Sequence, residues 1–231
     1  MKSILKVCSI AFITAISLTA YAQKPSPELL TPTNHALVLI DHESQMAFAV
    51  KNIDIEELRN NTALVAGGSK IFNVPTVVTT VAEKSFSGPV FAEVSEFYTQ
   101  TAQYIDRTTM NAWEDAAAYK AIVAKGKKRI VFAGLWTSVC IVGPALSAKA
   151  EGFDVFIITD ACGDVSGEAH EMAINRMTQA GVKMMTSTQY VLELQRDWAR
   201  SETYKPVTDL FKKYGGAYGV GIEYAHSMLK H

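Results

Sequence analysis

Continuous apolar runs that end in polar residues alternate along this chain with stretches whose apolar residues recur every three or four positions. The run over residues 35–41, which ends in Asp41, has the pattern of a strand buried on both faces. Ile55, Leu58, Ala63, Val65, Ala66 and Ile71 fall at helical spacing and predict a helix over 55–72. Further strands are predicted over 75–81, 130–133, 153–160 and 182–186, with a short one at 104–107. Helices are predicted over 113–125, 139–150, 168–180 and 189–200. Residues 82–89 read as a loop and 90–103 as helical or irregular. Gly126, flanked by Lys125, Lys127 and Lys128, ends the helix before the central strand.

Strands alternating with helices specify an α/β fold, a three-layer α/β/α sandwich around a mostly parallel sheet, over residues 35–205. Residues 23–34, with Pro25, Pro27 and Pro32, read as an extended lead-in. The tail 206–231 carries Pro206, Gly215, Gly216, Gly219 and Gly221; it is expected to be irregular and to make oligomer contacts. Right-handed crossovers bring every loop that follows a strand to one edge of the sheet. Open α/β sheets bind ligands at that edge. Asp41, Glu83, Arg107, Cys140 and Asp160 all end or follow strands and should converge there.

The first residues are set apart by their composition. Lys2 and Lys6 precede the apolar run 7–18, and Ala20-Tyr21-Ala22 has the small-x-small form of a signal peptidase site. The run is shorter than the roughly 20 residues of a membrane span, so export with cleavage after Ala22 is expected. Without residues 1–22 the formal charge moves from −1 to −3 over 209 residues. That balance argues for no nucleic-acid partner, and no second apolar run argues for a membrane. Cys140 and Cys162 would then be the only cysteines, too few for a disulfide scaffold.

Cys140 carries the most chemistry. It stands at the head of the run 139–150, where free N–H groups and the helix dipole favour a thiolate and lower the pKa. Asp41 would supply a base if its strand lies beside that of Cys140, because burial raises a carboxylate's pKa toward a useful range. Arg107 would pull that pKa back and stabilise an anionic intermediate. The Cys140 N–H, with one from the turn 136–138, would form an oxyanion hole. Together these describe nucleophilic acyl transfer through an acyl-thioester.

At these residues the chain resembles the isochorismatase-like cysteine hydrolase superfamily, and its YcaC-like branch in particular. The resemblance is carried by Leu39-Ile40-Asp41, by Arg107 six residues before Trp113, and by the stretch from Ala133 through Gly134 to Cys140. It extends through Pro144 to Ala148, Glu151 to Phe156, Thr159-Asp160-Ala161, Arg176 to Gly181, and Leu194 to Trp198. The resemblance implies a cysteine hydrolase with Asp41 as base and Cys140 as nucleophile, and a cis peptide at Trp136–Thr137. It also implies a homo-oligomer. Where most of the superfamily has lysine this chain has Arg107, as the branch does; arginine cannot shuttle a proton, so its role is electrostatic.

Glu83 matches a glutamate of the branch, and Glu83, Trp136, Thr137 and Asn111 are the candidates for substrate binding and the oxyanion hole. Trp113, Trp136 and Phe48 are candidates for an apolar wall. No metal and no other cofactor is expected: the segment from Thr79 to Phe86 lacks histidine, and His170-Glu171 fails the zinc-protease pattern because position 174 is Ile. The substrate expected is a small amide or related carbonyl compound. Two further readings stand beside this one, a non-catalytic oligomeric binding or scaffold protein and a Cys140/Cys162 redox protein.

Overall fold

In the computed structural model, residues 24–99 and 104–229 are described; the leader expected at 1–22 lies outside them. Six parallel strands form one sheet: β1 (His35–Ile40), β2 (Thr76–Val81), β3 (Ile105–Arg107), β4 (Arg129–Gly134), β5 (Asp154–Ile158) and β6 (Lys183–Met185). Their order is β3-β2-β1-β4-β5-β6. The chain moves outward in one direction through β2 and β3, then returns to the other side of β1 with β4. The switch point therefore falls between β1 and β4. Every residue of β1 is buried, as the unbroken apolar run required.

One face of the sheet carries α2 (Ile55–Ile71), α7 (Ser187–Gln195) and α8 (Ser201–Tyr214), which pack on one another. The other carries α4 (Ala116–Val123), α5 (Val142–Ala150) and α6 (Gly167–Gln179). The Asp54 carboxylate caps α2 by accepting the N–H groups of Glu56 and Glu57, and Asp115 caps α4 in the same way. The cap at Asp115 starts α4 three residues later than the apolar spacing suggested. Two short helices, α1 (Ser44–Ala47) and α3 (Ala92–Ser95), fill the loops after β1 and β2. Among the described residues no helix is long and apolar enough to cross a membrane.

The expected irregular tail is instead an antiparallel helix pair, α8 followed by α9 (Gly216–Leu229). Val207, Leu210 and Phe211 are buried against α2, and this apolar stripe outweighs the hydrogen bond lost at Pro206. Glycine is what lets α9 approach: a Cβ on Gly219 would stand 2.1 Å from the Phe211 carbonyl oxygen. Arg196, in the left-handed region at φ 56°, ends α7 five residues earlier than expected. The lead-in is also more ordered than its prolines suggested. It folds into turns, buries Leu30, and is tied by the Arg129 guanidinium to the carbonyls of Pro27 and Leu29.

At the switch point β4 must pass very close to β1. The Leu135 N–H donates to the Ile40 carbonyl at 3.0 Å, and a Cβ on Gly134 would meet the Ile40 oxygen at 2.0 Å. Gly134→Ala is therefore expected to lose about 1–3 kcal/mol of stability through overpacking, read as a lower urea midpoint at unchanged slope.

Candidate active site

Asp41 follows β1 and adopts a left-handed backbone, φ 55°, which aspartate tolerates better than most residues. Its side chain is fully buried. Oδ2 accepts a hydrogen bond from Arg107 Nη2 at 2.6 Å. Thr79 Oγ1 lies 3.4 Å from Oδ1, and the buried Cys140 thiol interacts with this carboxylate, each shifting the other's pKa. Arg107 closes β3; its second terminal nitrogen donates to the Thr109 carbonyl. Cys140 sits in a π-helical turn, Thr137–Ile141, that joins β4 to α5, and only 1% of its surface is exposed. The ends of three strands and the turns after them thus bring a carboxylate, a guanidinium and a thiol to one buried spot.

The charges follow from that burial. Loss of hydration pushes Asp41 up to about 6, with the Arg107 charge and the surrounding hydrogen bonds opposing the rise. Burial pushes the Cys140 thiol up to about 12, the Asp41 charge adds to the effect, and Arg107 opposes it. This corrects the helix-start expectation of a lowered thiol pKa. The α-helix begins only at Val142, and the N–H groups that would stabilise a thiolate are already committed. Thr137 N–H donates to the Gly163 carbonyl, and those of Val139 and Cys140 share the Trp136 carbonyl. Ser138 N–H donates to Asp164 Oδ2 at 2.6 Å. The same commitments leave no N–H between Thr137 and Cys140 free for an oxyanion hole in this geometry.

The remaining candidates divide. Glu83 begins the turn after β2 and is half-buried, with its N–H given to Asp106. Trp136 donates its indole N–H to the Met46 carbonyl, which binds the Cys140 loop to α1. Thr137 is buried, its hydroxyl between the Gly163 carbonyl and His170 Nδ1. Asn111 organises the loop before α4, bonding Glu114, Ser147 and the Trp113 N–H. Trp113 is core rather than wall: it packs edge-on to Phe132, Phe153 and Tyr119. Asp160 is spent on the Ser187 N–H and hydroxyl at the start of α7. The cis peptide lies at Leu135–Trp136, one residue before the expected bond.

Cys162 and Cys140 are both free thiols and both buried. Phe48 is 84% exposed and borders a groove of about 790 Å³ with Val50, Ile55, Val90 and Phe91. Asp41, Arg107 and Cys140 do not line that groove. Two acids were missed. Asp164, fully buried, clamps the Cys140 turn through Ser138 and is itself held by Asn52. Glu43, two residues after Asp41, is fully buried beside the site.

The chain as a whole matches known proteins. A family model for the isochorismatase domain matches residues 35–189. The chain belongs to the isochorismatase family. The probable hydrolase YcaC of Escherichia coli (strain K12) is 37% identical over 169 residues, which is 73% of this chain and 81% of YcaC. The crystal structure of the E. coli YcaC gene product, described as an octameric hydrolase of unknown specificity, superposes with a TM-score of 0.82. That match has 35% identity and covers 89% of this chain and 100% of the other. YcaC from Pseudomonas aeruginosa, solved with hexane-2,5-diol and covalent acrylamide, gives 0.80 at 34% identity, covering 87% and 98%. The chain lies in the YcaC-like branch.

Because the thiol stays protonated at neutral pH, its reactivity should follow its base. Alkylation of Cys140 is expected to accelerate as pH rises through about 6, where Asp41 becomes an acceptor. Asp41→Asn should remove this step. Arg107→Gln should move it to higher pH, since the cation that lowers the Asp41 pKa is gone. Mass-spectrometric labelling rates across the acid-to-neutral range check both shifts.

Proposed function

We propose that this protein is a hydrolase that uses Cys140 as nucleophile and Asp41 as its general base, acting on a small amide or a related carbonyl compound. The observation that carries the reading is a buried thiol electrostatically coupled to a buried carboxylate that is itself paired with a guanidinium. In the first half-reaction the thiol proton passes to Asp41 as Sγ bonds to the carbonyl carbon. The C–N bond then breaks, and the amine leaves with the proton from Asp41. Water next attacks the acyl-thioester while Asp41 takes its proton; the carboxylic acid departs and the proton returns to sulfur. Arg107 remains cationic throughout and stabilises whichever neighbour carries the negative charge. The covalent acrylamide in the P. aeruginosa relative supports a reactive nucleophile in this branch.

The committed N–H groups of the Cys140 turn favour the rival, a binding protein of the same fold that does not turn over. The two readings separate with a panel of small primary amides. Hydrolysis with an acyl adduct on Cys140, abolished in Cys140→Ala, is the expected result. Arg107→Lys should slow it about tenfold, because a point charge replaces a planar fork. Noncovalent binding without turnover across the panel would sink the enzyme reading.

We also propose that the protein is a homo-oligomer and that it is exported with cleavage after Ala22. The octameric relative supports the first, as do the exposed apolar side chains of Phe48, Phe86, Val220, Tyr224 and Met228. Light scattering on the chain beginning at Gln23 should give a multiple of the protomer mass. A monomer at micromolar concentration would overturn the assembly proposal.

A further inference from the structure

Glu43 has no role in the chemistry just described, yet it is one of the most constrained acids in the molecule. It lies in the short link between β1 and α1 and is fully buried. Oε2 accepts the Val81 N–H at 3.0 Å, which holds the carboxyl over the end of β2. Val81 is in register with Arg107 on β3, so this carboxyl shares the sheet edge with the Asp41–Arg107 pair. Oε1 is buried and has no hydrogen-bond partner.

The groups facing Glu43 are acids from three elements: Asp41 of its own link, Asp106 of β3 and Glu83 of the turn after β2. Arg107 gives its terminal nitrogens to Asp41 and to the Thr109 carbonyl, and its Nε is buried without a partner. Burial and these like charges push Glu43 up to about 8, so at neutral pH it carries a proton. With Oε2 accepting from Val81, the proton belongs on Oε1, where no acceptor meets it. Ser87 Oγ and Thr109 Oγ1, in the loops after β2 and β3, are likewise buried and without partners. Polar atoms from the loops after three strands thus lack a protein partner, and each calls for one outside the chain, such as a water, an ion or a ligand.

We propose that Glu43 is a ligand-binding residue of this site, whose unpartnered Oε1 hydrogen-bonds the carbonyl group of a substrate held beside Cys140. The inference rests on the cysteine-hydrolase reading and names a donor that the Thr137–Cys140 turn does not provide. The ligand class it selects is one with a hydrogen-bond acceptor next to the carbon under attack.

Two reagents separate this role from simple packing. Acrylamide adds to Cys140 with a carbonyl in place; sulfur bonds to the β-carbon and the thiol proton ends on the α-carbon. Allyl bromide alkylates the same thiol with loss of bromide and offers no carbonyl. In Glu43→Ala the acrylamide rate should fall about tenfold while the allyl bromide rate stays within about twofold. Glu43→Gln, whose amide N–H can donate, should keep the acrylamide rate. Equal slowing with both reagents, no slowing with either, or a Glu43→Gln variant as slow as Glu43→Ala would each overturn the proposal.

The protonation state has its own readout, independent of cysteine chemistry. A carboxyl whose pKa rises on folding loses stability for the fold as pH climbs from its unfolded value to its folded one. The stability advantage of Glu43→Gln over the parent should therefore grow between pH 4.5 and about 8 and then level. An advantage that is flat with pH would overturn the neutral acid. If Cys140 of the parent reacts with acrylamide no faster than free cysteine, and Asp41→Asn changes nothing, the hydrolase reading fails and the proposed donation falls with it, while the pH slope would remain.

Discussion

The ion pair between Arg107 and Asp41 is the constraint around which the catalytic edge is arranged. Both side chains are out of contact with solvent, and neither charge is tolerable there without the other. The pair also sets the terms for sulfur. A thiolate formed by loss of a proton to water would add a second negative charge to a dehydrated site, which is why the free thiol is so weak an acid here. Moving the same proton onto Asp41 leaves the total charge unchanged, since the negative charge passes from oxygen to sulfur within reach of one guanidinium. A high resting pKa is compatible with the nucleophilic role proposed for Cys140 under that condition. The cost of deprotonation is met inside the cluster rather than by bulk water.

The topology makes that cluster available. Asp41 and Cys140 are 99 residues apart in sequence, yet β1 and β4 are adjacent strands at the switch point, in register from His35 with Arg129 to Ile40 with Gly134. The divergence of the chain at that point opens the edge on which ligands of such sheets sit. Gly134 holds the two strands at contact distance, and Asp164 with Trp136 pins the turn that carries the thiol. The rigidity is deliberate in a physical sense. A thiol held by one carboxylate can work only if neither partner drifts by a fraction of an ångström.

Much of this was legible in the residues. The apolar runs mark the strands, and the crossover rule alone places Asp41, Arg107 and Cys140 on one edge. What stayed hidden depended on where individual N–H groups find acceptors. The turn at Thr137–Ile141 looks like a helix start in sequence, but its donors are consumed by Trp136, Gly163 and Asp164, and that reverses the expected direction of the thiol pKa. Glu43 was passed over because a lone acid after a strand carries no periodic or spacing signal; only its burial among other acids marks it. The tail was misread for a related reason. Four glycines suggest irregularity, whereas Gly219 serves close packing of two helices and Pro206 is overridden by the buried stripe of Val207, Leu210 and Phe211.

The anchoring of the lead-in by Arg129 has a practical corollary. Arg129 opens β4 while Cys140 follows its end, so the segment from Pro27 to Leu29 is fastened to the edge of the sheet opposite the thiol. Immobilisation or labelling through a fusion ahead of Lys24 would thus leave the sheet edge that carries Cys140 facing away from the support. The two ends of one buried strand separate the handle from the chemistry.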